Sequence, residues 1–519
     1  MRLNISVWVW ILVVVVIILG FFFWNRMVSS AGPTGEAYRI ETIQMPEGLN
    51  SEVGGIGFLP DGRLIACFHR GEVMIYDTQT KEWKLFAEGL HDPLGLLVVG
   101  NSEVLVMQQP ELTRIKDTDG DGEADLYENV TDDFGISGNY HEFNYGPVKD
   151  REGNLFVAFN TGSSGDGIRK QVRGKLRLEG RDGETGKRQM YSVVPYRGWV
   201  MKLRPDGKLI PYASGLRSPN GIGFDTEGNL FVADNQGDWV ATSALYHIQE
   251  GEFYGHPASL VWKEGWNKGN PFLLPVPELD AMRTKAVVLF SQGIMANSPA
   301  QILCDTTGGQ FGPFEGQLLV GEMNHERIVR VMLERVGGAL QGACVPFIDG
   351  RGLRMGNNRM AFGPDGSLWV GQTDHGWAGA EGIQRIVYTG ELPMDIHNMN
   401  LTQTGFDLTF TQPVDLEAAK NVDNYKFRHY HYDYYKKDES EHVDLAIEVD
   451  VQAVPVTDID ISSDGKKVSL TLGNLKPRYI YELKLANIKS KEGTPLANDL
   501  ICYTLNNLRT DGVAESGVK

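Results

Sequence analysis

Residues 117–128 read DTDGDGEADLYE. Asp117, Asp119, Asp121, Gly122, Asp125 and Glu128 take positions 1, 3, 5, 6, 9 and 12 of a calcium loop, and Glu123 offers its main-chain carbonyl at position 7. Hard oxygen ligands at alternating positions, a turn glycine and a closing glutamate are what Ca²⁺ coordination requires. The alternative is a solvated acidic turn, in which the crowded carboxylates repel one another. The strand-like LTRIK before the loop argues against flanking helices, so the ion reads as a structural staple. The second candidate is His141, in NYHEFNYG ahead of an apolar strand. A neutral imidazole accepts a proton near pH 7, so His141 is either a general base at the mouth of a β-fold or a polar residue packing a loop. Spacing alone leaves both open.

Such residues need a scaffold, and the sequence repeats one. An apolar strand, a Gly or Asp-Gly turn and a second apolar strand recur in six copies: Gly54 to Phe68, Leu94 to Met107, Asn144 to Phe159, Asn220 to Asp234, Phe311 to Glu322 and Asn358 to Gln372. Antiparallel hairpins repeated without intervening helices predict a β-propeller closing around a channel. Uneven spacing places inserts near 160–195 and 258–290, which are expected over one face. Beyond residue 390 the pattern changes to alternating stretches such as GFDLTFTQPVD and KKVSLTLGNL, which predict an immunoglobulin-like or fibronectin-like sandwich. Its aromatic run from Tyr425 to Tyr435 reads as cross-strand packing rather than a sugar platform.

The expected fold is therefore all-β: a six-bladed β-propeller over residues 38–390, then a small immunoglobulin-like β-sandwich over 391–508 and a disordered tail over 509–519. Residues 1–31 form a membrane anchor or signal segment. From Val7 to Trp24 there are 18 almost wholly apolar residues, long enough to read as an N-terminal transmembrane helix, and Arg2 and Arg26 flank it. The positive-inside rule then puts the main body outside the cytoplasm, in a periplasm. A cleaved signal ending at Ala31 is the alternative. The net charge of −18 disfavours nucleic acid as a partner. Cys67, Cys304, Cys344 and Cys502 form no CxxC or haem motif; they read as buried thiols, with Cys304 and Cys344 able to pair in an oxidising compartment. Asp234, Asn235 and Asp238 of ADNQGDW read as turn caps.

The run SGLRSPNGIGFDTEGNLFVADNQGDW, followed by LYHIQEGEFYGHP, resembles the planctomycete-type "membrane-bound dehydrogenase" propellers, which are related to the quinoprotein glucose/sorbosone dehydrogenase superfamily. The calcium loop, GNYHEFNYG, FGPFEGQLLVGE, DGSLWVGQTDHGW and GIQRIVYTG add to the resemblance, which spans residues 40 to 508. It implies oxidation of a sugar or polyol with pyrroloquinoline quinone and Ca²⁺. His141 would take the hydroxyl proton while hydride passes to the quinone, and Arg217 in GLRSPNG would contact the cofactor, with Asn220 near it. With no haem motif, electrons would pass to a separate acceptor. The sequence also departs from the pattern: LLVGEMNHE has Glu322 and Asn324 where a lysine is expected, and TDHGW has His375 where the subgroup has arginine. Those two lost cations keep two other readings open. One is a non-catalytic, calcium-stabilised propeller binding a glycan or protein partner; the other is a calcium-dependent lactonase.

Overall fold

The computed structural model describes residues 36–170, 172–181, 189–374, 379–435 and 446–509. The expected transmembrane segment, His375 and the tail from residue 510 lie outside the described residues, among which no helix is long and apolar enough to cross a membrane. The chain is all-β and propeller-like. Six units of four antiparallel strands follow one another, with innermost strands Val53–Phe58, Gly95–Gly100, Asn144–Lys149, Gly221–Phe224, Pro299–Cys304 and Asn357–Phe362. Each innermost strand touches the next, and the last touches the first, so the six units close a ring. The sixth unit takes its outer strand from the opposite end of the described chain, where Tyr38–Ile43 pairs with Gly382–Tyr388.

Local chemistry fixes the hairpins. In two of them an aspartate closes the turn on itself: Asp150 accepts from the amides of Glu152 and Asn154, and Asp225 from those of Glu227 and Asn229. Glycine lets the innermost strands crowd the axis. A Cβ at Gly95 would lie 1.6 Å from the Gly146 carbonyl oxygen, and one at Gly221 would lie 2.0 Å from that of Ala300. The fifth repeat is displaced from its expected place. Its first strand is Pro299–Cys304, which pairs with Leu318–Glu322, while Phe311 lies in the loop between them. Phe311 and Phe314 are buried from that loop, which is why their segment mimics a strand.

The channel is blocked by one side chain. Arg359 is 4 % exposed and donates to the carbonyl oxygens of Gly54, Leu94 and Asn358, and to Oδ1 of Asn220 and of Asn358. Its guanidinium sits 5.2 Å from the Tyr145 ring centroid. First, second, third, fourth and sixth units thus meet on one cation, whose pKa burial pulls down to about 10.

The sandwich is fused to the fifth unit rather than tethered to it. The outer strand Ala339–Phe347 pairs with Leu500–Leu505, and the sheet runs on through Tyr479–Leu485, Tyr425–His431 and Val449–Val454. A second sheet, Ile396–Leu401, Gly405–Phe410, Lys467–Leu472 and Val456–Ile461, packs against it around Phe406, Phe427 and Tyr481. Buried Arg330 ties the fifth unit to Asp395 at 3.2 Å. Tyr425, Phe427 and Tyr430 are buried. All four cysteines are buried thiols, as expected, and the alternative Cys304–Cys344 pairing does not fit the sheet. Cys304 opposes Leu318, Leu318 opposes Val331 and Val331 opposes Cys344, so three strand spacings, ~14 Å, separate the thiols, beyond the reach of a disulfide.

Candidate functional site: the polar rim of the channel

In an antiparallel unit the start of the first strand and the end of the second lie at the same end. His141 and Arg217 precede innermost strands, whereas Thr161, Asp238 and Glu322 sit at or just beyond the ends of second strands. All five therefore belong to one rim.

His141 is held by a braced loop. The Asn139 amide oxygen accepts from the backbone amides of His141 and Ser163, and its Nδ2 donates to the Tyr191 hydroxyl at 2.7 Å. Glu142 turns inward to accept from Ser137, through both amide and hydroxyl. Behind the loop, fully buried Arg197 donates to the carbonyls of Gly135 and Glu142 and to Asn144 Oδ1. The ring itself approaches the Thr161 carbonyl, with Nδ1 at 2.9 Å. A carbonyl only accepts, so Nδ1 carries the proton and Nε2 is the basic nitrogen of the neutral ring.

Thr161 also reaches the other way. Its amide and hydroxyl both donate to the Arg217 carbonyl, at 3.1 and 2.7 Å. Arg217 is 20 % exposed along its side chain and donates from Nε to Asp238 at 2.9 Å. A Cβ on residue 237 would lie 2.1 Å from that Nε, so Gly237 makes room for the guanidinium. Asp238 accepts as well from His256 Nε2 at 2.9 Å and from the Met190 amide at 2.7 Å. Burial alone would raise the Asp238 pKa, but the His256 and Arg217 side chains hold it well below the usual range. Asp234 caps the amides of Arg217 and Ser218, and burial lifts its pKa to about 6.

The sequence-predicted residues do not all converge. His141 and Arg217 are brought together through Thr161, whereas Asn220 lies within the channel, donating to Asn358 Oδ1 and accepting from Arg359. Glu322 occupies the position where a lysine is expected, yet it is fully buried and accepts from the amides of Asn297, Ser298 and Asn324. Sequence reading missed the ion pairing of Asp238, along with Thr161, Asn139 and His256. The one available signal was Gly237 directly before Asp238.

In the second unit, carboxylate oxygens of Asp117, Asp119 and Asp121 lie within 4.8 Å of one another. Asp125 and Glu128 are engaged by other partners. Asp125 accepts from Thr118, and Glu128, on the edge strand Leu126–Thr131, accepts from Arg114 at 2.8 Å. A strand in place of a second helix turns Glu128 toward its cross-strand partner. The amide of Glu123 donates to Asp121.

Fold and rim define an all-β, propeller-like protein whose polar side chains gather at one end of a plugged channel. The chain belongs to the family described as a domain of unknown function (DUF7133), whose model matches residues 74–374, more than half of its length. Among curated proteins none matches it significantly. Solved structures similar to it include the PQQ-bound aldose sugar dehydrogenase of Streptomyces coelicolor, at 18 % identity and TM-score 0.46, covering 68 % of this chain and 99 % of that one. The soluble aldose sugar dehydrogenase of Escherichia coli follows at 14 % identity and 0.45, covering 68 % and 99 %. The PQQ domain of pyranose dehydrogenase from Coprinopsis cinerea stands at 12 % and 0.46, covering 69 % and 98 %. All three scores lie below 0.5, too low to assign chemistry.

Glu322 makes the rim pH-sensitive. Burial raises its pKa from the ordinary 4.5 to about 7, so the folded protein binds this proton more tightly than the unfolded chain. Its stabilising contribution is complete below pH 4.5 and lost as pH rises through about 7. Relative to Glu322→Gln, which cannot titrate, the native protein should lose about 2–3 kcal/mol between pH 5 and 8 in denaturant unfolding. A pH-independent difference would contradict the assignment.

Proposed function

We propose that this chain is an oxidoreductase that removes two electrons from a sugar or polyol with a quinone cofactor of the pyrroloquinoline quinone type at the rim. The bridge through Thr161 carries this reading. It links a histidine ring with a defined basic nitrogen to the main chain of Arg217, whose Nε is committed to Asp238. The Arg217 terminal nitrogens make no other hydrogen bond among the described residues, so they fit one edge of a planar anionic quinone. The fifth unit adds no cation, because Glu322 stands in that place and turns inward.

When bound, the quinone supplies the hydride acceptor. The protein does the rest of the work by position and charge. Nε2 of His141 takes the substrate hydroxyl proton as the C–H bond yields its hydride, while Thr161 holds the ring in the required tautomer. Arg217 offers N–H donors where negative charge develops on oxygen. Asp238, itself held by His256, keeps that guanidinium in one orientation. With a quinone bound, the electrons would leave to a separate acceptor. The cluster of Asp117, Asp119 and Asp121 suits a Ca²⁺ that stiffens the outer turn of the second unit, away from the chemistry.

Two measurements test the reading. Purified full chain is titrated with pyrroloquinoline quinone and Ca²⁺ and screened for dye reduction with sugars and polyols. His141→Ala should cut turnover by roughly 10²–10⁴-fold with quinone binding retained. Arg217→Ala should mainly weaken quinone binding, by roughly tenfold or more. Protein that neither binds the quinone nor reduces dye would make a non-catalytic binding propeller the better account. For the outer turn, chelation should lower the melting temperature, millimolar Ca²⁺ should restore it, and Asp119→Ala should lose most of that response. Superimposable curves with calcium and chelator would leave a plain acidic turn.

A further inference from the structure

We propose that Cys344 and Cys502 form a cross-strand disulfide that staples the propeller to the sandwich. The geometry comes from the sheet that joins them. Strands Ala339–Phe347 and Leu500–Leu505 run antiparallel with Gly342 opposite Thr504, Ala343 opposite Tyr503 and Cys344 opposite Cys502. Directly opposed residues in such a pair have Cα atoms about 4.5 or 5.5 Å apart and side chains on the same face. Both spacings lie within the roughly 4.4–6.8 Å that a disulfide spans. Cys344 Sγ already lies 3.7 Å from the Cys502 carbonyl oxygen, and both side chains are buried in one apolar cluster. All four cysteines are thiols in the structure. Cys304 is three strands from Cys344, and Cys67 lies in the first unit, so neither competes for this partner.

The two thiols have no place in the rim chemistry. Burial raises the Cys502 pKa to about 12 and that of Cys344 well above its ordinary value, so neither ionises readily once the sheet has closed. The bond therefore forms during folding, by exchange with a small-molecule or protein disulfide. One cysteine thiolate attacks a sulfur of that disulfide and releases the first thiolate. The second cysteine then attacks the mixed disulfide and releases the other. Two protein thiols lose two protons and two electrons, and one oxidant disulfide becomes two thiols. Because the pair is 158 positions apart in sequence and links the fifth unit to the sandwich, the bond restricts the unfolded chain over a long loop.

Full chain produced in an oxidising compartment is purified without reductant, alkylated in denaturant and digested. The proposal predicts a peptide pair linked through Cys344 and Cys502, lighter by two hydrogens than the separate thiol peptides, with Cys67 and Cys304 alkylated. It also predicts a melting temperature several degrees above that of the reduced protein. The double variant Cys344→Ala/Cys502→Ala should melt alike with and without reductant. Alkylation of Cys344 and Cys502 in the unreduced protein, or their attachment to other thiols, would overturn it, as would a melting temperature indifferent to reduction in the native chain.

Discussion

Arg359 is a cation with no carboxylate partner among the described residues, placed where the innermost strands meet. Its charge is solvated by main-chain and amide oxygens from the first, second, fourth and sixth units and by the face of Tyr145 from the third. An uncompensated buried charge is costly, and these oxygens replace the water it lost. The exchange works only while the units stay in register. A blade that drifted outward would leave both a carbonyl and a guanidinium N–H unsatisfied. The same side chain plugs the channel, which leaves the rim as the surface where polar groups from several units can meet a ligand.

The rim inherits its order from that closure. Arg197 braces the loop of His141 from behind, and the Asp238–His256 pair braces Arg217 from the side, so both groups rest on buried polar contacts. Thr161 links the two braces. A site of this kind is preorganised: the donors hold their positions before any ligand arrives. Fusion of the fifth unit with the sandwich extends the rigid frame. The ladder between Trp239–Val240 and Tyr434–Tyr435 brings the sandwich next to Asp238.

Much of the scaffold was legible in the sequence because each hairpin carries its own turn chemistry, as in DREGN and DTEGN. Local signals failed where burial and secondary structure part company. Phe311 and Phe314 are core residues on a loop, and they drew the fifth repeat away from PAQILC. His141 and Arg217 were visible as residue types, yet their bridge was not, since Thr161 becomes informative only when two loops meet. Asp238 and His256 pair between separate loops for the same reason. Glu128 fits a calcium loop by spacing, but strand register places it opposite Arg114. Nothing in NNRMAF distinguishes a channel arginine from one on an exposed strand.

The central claim is that one buried guanidinium holds the ring closed. Equilibrium unfolding of Arg359→Met against the native chain, at constant pH and salt, tests it most directly. Methionine fills part of the channel but donates to none of the oxygens that Arg359 serves. The account predicts a loss of at least about 3 kcal/mol, the cost of leaving several buried acceptors without donors. A variant within about 1 kcal/mol of the native protein would show that the ring closes without its hub and would contradict the account.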